Sequence, residues 1–191
     1  MDKTYTWTVD VESDWGGRTN GALGIKEGLP AILEIFRAHN IKALFFVSSE
    51  SALDNRGSIN RIVEQGHEIG SHGHFHIRYK EAFRAAQDRE ISERLLSIFS
   101  DKALKYRAPW FYYQAEDSIY SYRNNHVSVL RHAWFGGKIP AKPIFYIHPF
   151  DIVKGQNAPN LFTRILYAKP KIVLDTFTEL VRAHPGHSRL R

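Results

Sequence analysis

Two short clusters in this 191-residue chain bring together carboxylates and imidazoles at spacings that can do chemistry. Asp10, Glu12 and Asp14 stand in Thr8-Val9-Asp10-Val11-Glu12-Ser13-Asp14, directly after an apolar run. His72, His74 and His76 stand in Gly70-Ser71-His72-Gly73-His74-Phe75-His76, directly after another. Carboxylate oxygens and imidazole nitrogens are ligands for a divalent ion such as zinc, and the chain has no cysteine to offer a thiolate instead. On a helical turn His72 and His76 would lie on one side, with His74 pointing away. An extended strand would put all three on one face, but Gly70 and Gly73 argue for a turn. Extended backbone at the first cluster would place Asp10 and Glu12 on one side and Val11 on the other. One carboxylate could then bind a metal while its neighbour takes a proton. Two single residues join these clusters. Arg107, in Tyr106-Arg107-Ala108-Pro109-Trp110, is suited to pair with a buried carboxylate and hold it ionised. His148, in Tyr146-Ile147-His148-Pro149, is of the residue type whose ordinary pKa suits a general acid.

The elements that must position these residues alternate between strand and helix. Tyr5 to Val11, Ile41 to Val47, His67 to Ile69, Lys105 to Arg107 and Ile144 to Ile147 read as strands, and so does Val127 to Phe135. Helical spacing of apolar residues predicts helices over about 26–39 and 80–99, and a short one capped by Ser58. Thr176 and Glu179 fit a capping box opening a last helix that ends before Pro185. This order predicts an α/β domain with a largely parallel sheet, and neither linker nor repeat divides residues 1–191. Such folds gather functional groups beyond the carboxyl ends of their strands. Asp10, His72, Arg107 and His148 each fall at the end of a predicted strand.

Composition narrows the function classes. Residues are 43% hydrophobic and 24% charged, as in an ordinary water-soluble domain, and no apolar run approaches the roughly 18 residues of a membrane span. No basic segment followed by an apolar core opens the chain, so a cytoplasmic location is expected. The net charge of +6 favours anionic partners, but the basic residues are dispersed and accompany no nucleic-acid motif. A solvated basic surface is expected rather than dedicated nucleic-acid binding.

In order along the chain, these motifs resemble those of the polysaccharide deacetylases, the NodB-homology domains of carbohydrate esterase family 4. Asp10-Val11-Glu12 resembles the family's first motif, and Glu68-Ile69-Gly70-Ser71-His72 through His76 the second. Tyr106-Arg107-Ala108-Pro109-Trp110 resembles the third, and Tyr146-Ile147-His148-Pro149 the last. The resemblance implies a distorted (β/α) barrel of about seven parallel strands and one divalent metal ion, most often zinc. His72 and His76 would be its imidazole ligands, Asp10 the catalytic base, Arg107 the group that orients Asp10, and His148 the acid. Pro109 and Trp110 would contact substrate, with Trp15, Tyr113 and Trp134 as further stacking faces. The family's usual second aspartate is replaced by Val11. Strand alternation points to Glu12 as third ligand, with Asp14 as the alternative. Trp134 is the one candidate for the family's Asp/Trp motif. The implied activity is removal of an N-acetyl group from an amino sugar, on a nucleotide- or lipid-linked precursor of surface polysaccharide. Metal-free hydrolysis of another C–N bond on the same fold, and a degenerate glycan-binding domain, are the alternatives.

Overall fold

Alternation along the first strand decides the architecture. In β1 (Thr6–Val11), Trp7, Val9 and Val11 turn to one face and Thr8 and Asp10 to the other, yet all five are buried. A strand buried on both faces belongs inside a layered α/β fold. The computed structural model describes residues 5–13, 21–112, 125–153 and 168–185. Its other strands are β2 (Leu44–Val47), β3 (Glu68–Ser71), β4 (His126–Ser128) and β5 (Ile144–Ile147). All pair in parallel, in the order β3-β2-β1-β5-β4. The expected strand at Lys105–Arg107 is reduced to one parallel bridge, Ser71 to Tyr106, which extends the sheet beyond β3. Where about seven strands were expected, the described residues hold five and this bridge.

The odd-numbered face of β1 meets two helices, α1 (Leu29–Ala38) and, last in the chain, α6 (Pro170–Ala183). Their apolar stripes supply Ile32, Leu33 and Phe36 from α1, and Val173, Phe177 and Val181 from α6. Trp7 stacks on Phe145 at 4.4 Å between ring centres, and Phe36 and Phe177 meet it at 5.9 and 5.6 Å. Removing a fully buried aromatic such as Trp7 should cost about 3–5 kcal/mol. The opposite face carries Leu44 and Phe46 of β2 together with Thr8 and Asp10, and this polar inner face leads into the site.

Four sequence expectations are corrected. Val127–Phe135 is a three-residue strand followed by α5 (Val129–Phe135), because the Ser128 side chain accepts from the Arg131 backbone N–H and caps a helix there. Thr176 and Glu179 open no helix: both lie inside α6, whose buried stripe begins at Val173. The helix expected to open at Ser58, α3 (Arg56–Glu64), starts two residues earlier after Asn55, close behind α2 (Ser49–Asp54). The helix expected from residue 26 is a π-turn over Gly24–Gly28 before α1 begins. That turn lies against the segment after β5. A Cβ on Gly28 would sit 1.9 Å from the Pro149 carbonyl oxygen, so only glycine lets these backbones meet and seats the turn that follows His148. The predicted helix at 80–99 is α4 (Ala82–Leu96) with a short 3₁₀ turn after it.

Candidate active site

Glu12 lies just beyond the end of β1, and His72 just beyond β3. His76 closes a tight loop four residues after His72. One ligand atom from each lies within 4.8 Å of the other two, and all three side chains are buried. Glu12 Oε2 is 3.3 Å from His72 Nε2 and 2.6 Å from His76 Nε2. The two histidines converge without a helix. Gly73 at φ +76° and His76 at φ +54° reverse the chain in left-handed conformations. A non-glycine residue held there is strained, as is common where a site dictates the backbone. Asp14 lies outside the described residues.

The loop between the histidines is clamped from α4. Asp88 accepts from the backbone N–H of His74 at 2.8 Å and of Phe75 at 3.4 Å, while the Tyr79 hydroxyl donates to it at 3.1 Å. One turn on, the Ser92 hydroxyl donates to the Gly73 carbonyl at 2.8 Å. Gly73 is required here, since a Cβ would lie 2.6 Å from Asp88 Oδ2. His74 turns away from the ligand cluster, its Nδ1 2.7 Å from the Ser49 hydroxyl.

His72 Nδ1 lies 2.8 Å from the Arg107 carbonyl oxygen. A carbonyl only accepts, so Nδ1 carries the proton, and in the neutral ring Nε2 presents its lone pair to the Glu12 carboxylate. A lone pair facing a buried carboxylate fits a cation between them. Two imidazoles and one carboxylate also match the ligand set of a catalytic zinc site with an open position. The residues present therefore fit a divalent ion. Burial pushes the Glu12 carboxyl up, but the imidazoles of His72 and His76 beside it outweigh burial and hold the group far below the usual range. Burial pushes His76 down, only partly offset by Glu12, which keeps the ring in the neutral form a metal needs.

Asp10 and Arg107 form a second buried pair beside this cluster. Arg107 has no solvent exposure and donates through Nη1 to Asp10 Oδ1 and through Nη2 to the Thr8 hydroxyl at 2.9 Å. Its guanidinium lies 4.2 Å over the Phe46 ring, with Phe111 and Tyr146 further out. Burial raises the Asp10 carboxyl, but the opposing pull of Arg107, then His72 and His148, leaves it below its usual value. Asp10 is thus an ionised carboxylate in a dry setting, with Oδ2 turned toward His148.

His148 completes the arrangement. Its Nε2 lies 3.9 Å from Asp10 Oδ2 and 3.9 Å from Glu12 Oε1. Burial lowers its pKa, but Asp151, accepting from the His148 backbone N–H at 2.9 Å and lying 3.1 Å from Nδ1, reverses this; Glu12 and Asp10 add to it, and the pKa is lifted to about 9. The ring keeps 23% exposure, so solvent tempers that lift. Sequence reasoning missed Asp151 and Asp88. Asp151 carries a signal, because an acid three residues after the cap position is a capping-box spacing. Asp88 carries none, being one polar residue among many on a long helix.

Pro109 is buried at the rim. Trp110 is 49% exposed and lies 5.3 Å, ring to ring, from His76. Trp110 and Phe111 both have positive φ, 59° and 55°, and the indole lies beside His76 of the Glu12–His72–His76 cluster. Trp134 sits elsewhere, packed from α5 against the main core, and is no part of this site. Trp15 and Tyr113 lie outside the described residues.

A profile of the polysaccharide deacetylase family matches residues 4–117. The peptidoglycan deacetylase of Helicobacter pylori is 26% identical over 121 residues, covering 56% of this chain and 41% of that protein. The chain spans less than half the length of such curated relatives. A solved peptidoglycan N-acetylglucosamine deacetylase superposes with a TM-score of 0.63 at 17% identity, over 97% of this chain and 85% of that one. A carbohydrate esterase family 4 pseudoenzyme from Bacillus anthracis gives 0.62 at 17% identity, over 97% and 63%. At these identities the likeness is one of fold, the distorted NodB-type barrel.

Proposed function

This chain belongs to the polysaccharide deacetylase family, and we propose that it is a metal-dependent hydrolase that removes the N-acetyl group from an amino sugar. The observation that carries the reading is the meeting, beyond the carboxyl ends of β1, β3 and β5, of the Glu12–His72–His76 cluster with an arginine-held Asp10 and with His148. A divalent ion held by Glu12, His72 and His76, zinc by the chemistry of the ligands, would polarise the acetyl carbonyl and acidify water.

The chain's own residues supply the rest. Asp10 takes a proton from the attacking water on Oδ2, while Arg107 grips Oδ1 and keeps the carboxylate ionised and aligned. Water oxygen adds to the acetyl carbonyl carbon. His148 then gives its Nε2 proton to the departing nitrogen, the C–N bond breaks, and acetate and a free amine leave. Asp151 keeps His148 protonated and aimed until that step. The exposed face of Trp110 offers a platform for the sugar ring.

The activities of the relatives favour an N-acetylglucosamine unit of peptidoglycan or of a related glycan as substrate. The net charge of +6 favours a narrower choice, a nucleotide- or lipid-phosphate-linked precursor met in the cytoplasm. Residues 1–191 would form a single catalytic domain. Among the described residues no helix is long and apolar enough to cross a membrane.

Elemental analysis of the purified protein beside a His72→Ala/His76→Ala variant tests the reading, together with acetate release from N-acetylglucosamine oligomers. About one divalent ion per chain, lost in the variant along with acetate release, is the expected result. A wild-type protein that takes up no zinc would sink it. One structural relative is a pseudoenzyme, so Asp10→Asn is the companion test: a glycan-binding domain keeps its glycan affinity and has no turnover to lose.

A further inference from the structure

Across β5 from the catalytic column lies a second cleft that the hydrolysis does not use. It is a cavity of about 360 Å³ over the inner face of β4 and β5. Arg131 and Lys138 line it with His126 and His132, and among the described residues its lining holds no aspartate or glutamate. Gly136 and Gly137 form one rim, where no side chain narrows the mouth.

We propose that this cleft is an anion-binding subsite that holds a phosphate group carried by the acetylated sugar. The inference deepens the deacetylase reading and rests on it.

Position is the first argument. Thr8, Tyr146 and Ser128 are register partners across β1, β5 and β4. Neighbouring strands lie about 5 Å apart, so the cleft opens one strand beyond His148 and roughly 10 Å from the Asp10 column. That distance suits a group attached to the same sugar whose acetamide reaches Asp10. Tyr146 forms the shared wall, lining the cleft while its ring lies 6.0 Å from that of His148. His126 joins the two sites as well, with Nε2 3.4 Å from Arg107 Nη2.

Charge is the second argument. Arg131 and Lys138 are two permanent cations on one cleft with no carboxylate among its described lining, and an anion between them relieves their repulsion. A phosphate offers several anionic acceptor oxygens to such a set, whereas the oxygens of a neutral glycan carry no charge. The chemistry is shared by a nucleoside diphosphate sugar and a prenyl diphosphate sugar, so the test must separate them.

The experiment compares wild type with Arg131→Gln/Lys138→Gln on three substrates: a nucleoside diphosphate N-acetylglucosamine, a prenyl diphosphate N-acetylglucosamine in detergent, and a neutral N-acetylglucosamine tetramer. The double variant should lower kcat/KM for a phosphorylated substrate, relative to the tetramer, by roughly tenfold or more, mainly through KM. The substrate showing that loss identifies the source of the phosphate. An equal change on all three substrates would overturn the subsite. If no substrate is turned over, the deacetylase reading fails, and calorimetry with inorganic pyrophosphate decides the subsite by itself. Wild-type binding weakened roughly tenfold in the variant supports the subsite. Absent or equal binding rejects it.

Discussion

The Arg107 carbonyl accepts the Nδ1 proton of His72 at 2.8 Å, while the guanidinium of the same residue grips Asp10. One residue therefore fixes the tautomer of a proposed metal ligand and the ionisation of the proposed base. The two functions separate by mutation, because a side-chain change leaves the carbonyl in place. Arg107→Ala should keep the histidine geometry but free Asp10 from its cation. With burial no longer opposed by Arg107, the Asp10 carboxyl rises, and the acidic limb of the kcat/KM profile moves to higher pH. Activity should fall by about a hundredfold or more. Breaking the buried pair should also cost about 3–5 kcal/mol of stability. Arg107→Lys restores charge without the two-armed grip on Asp10 and Thr8, and should recover the pH limb better than the rate. A pH–rate series on the two variants, with urea unfolding alongside, checks both effects. An acidic limb unchanged in Arg107→Ala would mean that Asp10 is not the titrating base.

Asp151 sets the other limb. It is the chief reason that the His148 pKa stands near 9 despite burial. A general acid must be protonated, so the raised value keeps His148 competent through neutral pH, and activity declines only as pH climbs toward it. Asp151→Asn removes the carboxylate, lets burial lower the pKa, and should move the basic limb down past neutrality. A roughly tenfold to hundredfold loss of kcat at pH 8, with much less loss at pH 6, is expected. Titrating the imidazole by NMR gives the same quantity without turnover, and an unmoved His148 would reject the assignment.

Much of this site was legible in the sequence because its chemistry sits at strand ends and strand ends are easy to see. Asp10 emerges from an apolar run, His72 follows another, and His148 follows Ile144–Ile147, whose bounds the structure keeps unchanged. With Val11 in place of the usual aspartate, alternation along β1 pointed to Glu12. The Val11 side chain is in the main core, while Glu12 faces the histidines. The route by which His76 reaches Glu12 was not legible. His-x-x-x-His spacing is read most simply as a helical turn, and two left-handed residues were needed instead. Val127 to Phe135 was misread because Val127, Val129 and Leu130 are all apolar and the first two β-branched, which favours a strand until the Ser128 cap is seen. Asp88 acts through loop partners that only tertiary structure supplies, whereas Asp151 acts on His148 three residues away.

Asp88 gives a prediction for metal affinity as opposed to chemistry. It accepts two backbone N–H groups from the loop between the ligands. Asp88→Asn keeps the size but offers one acceptor oxygen in place of two. Loss of such a supporting contact typically weakens a metal site roughly 10- to 100-fold. Chelator competition should show that weakening, and kcat at saturating zinc should fall far less than for Arg107→Ala. A variant with normal zinc affinity would show that the loop holds its shape without the clamp.

His67 predicts acid lability away from the site. It is buried against Phe36 and Phe45, at 5.8 and 5.0 Å between ring centres, and its Nδ1 accepts from the Ala43 backbone N–H at 3.1 Å. Burial, with a smaller push from Lys42, lowers its pKa from 6.5 to about 4. The folded ring therefore stays neutral where the unfolded one has already gained a proton. Unfolded chains bind more protons between these two values, so stability rises with pH across that window. The contribution is complete above pH 6.5 and is lost as pH falls toward 4. Its size is about 3 kcal/mol at most. His67→Gln keeps an acceptor for the Ala43 N–H but cannot titrate. Urea unfolding of both proteins at pH 7.5 and 5 should show the wild type losing more stability than the variant, and equal losses would place the acid sensitivity elsewhere.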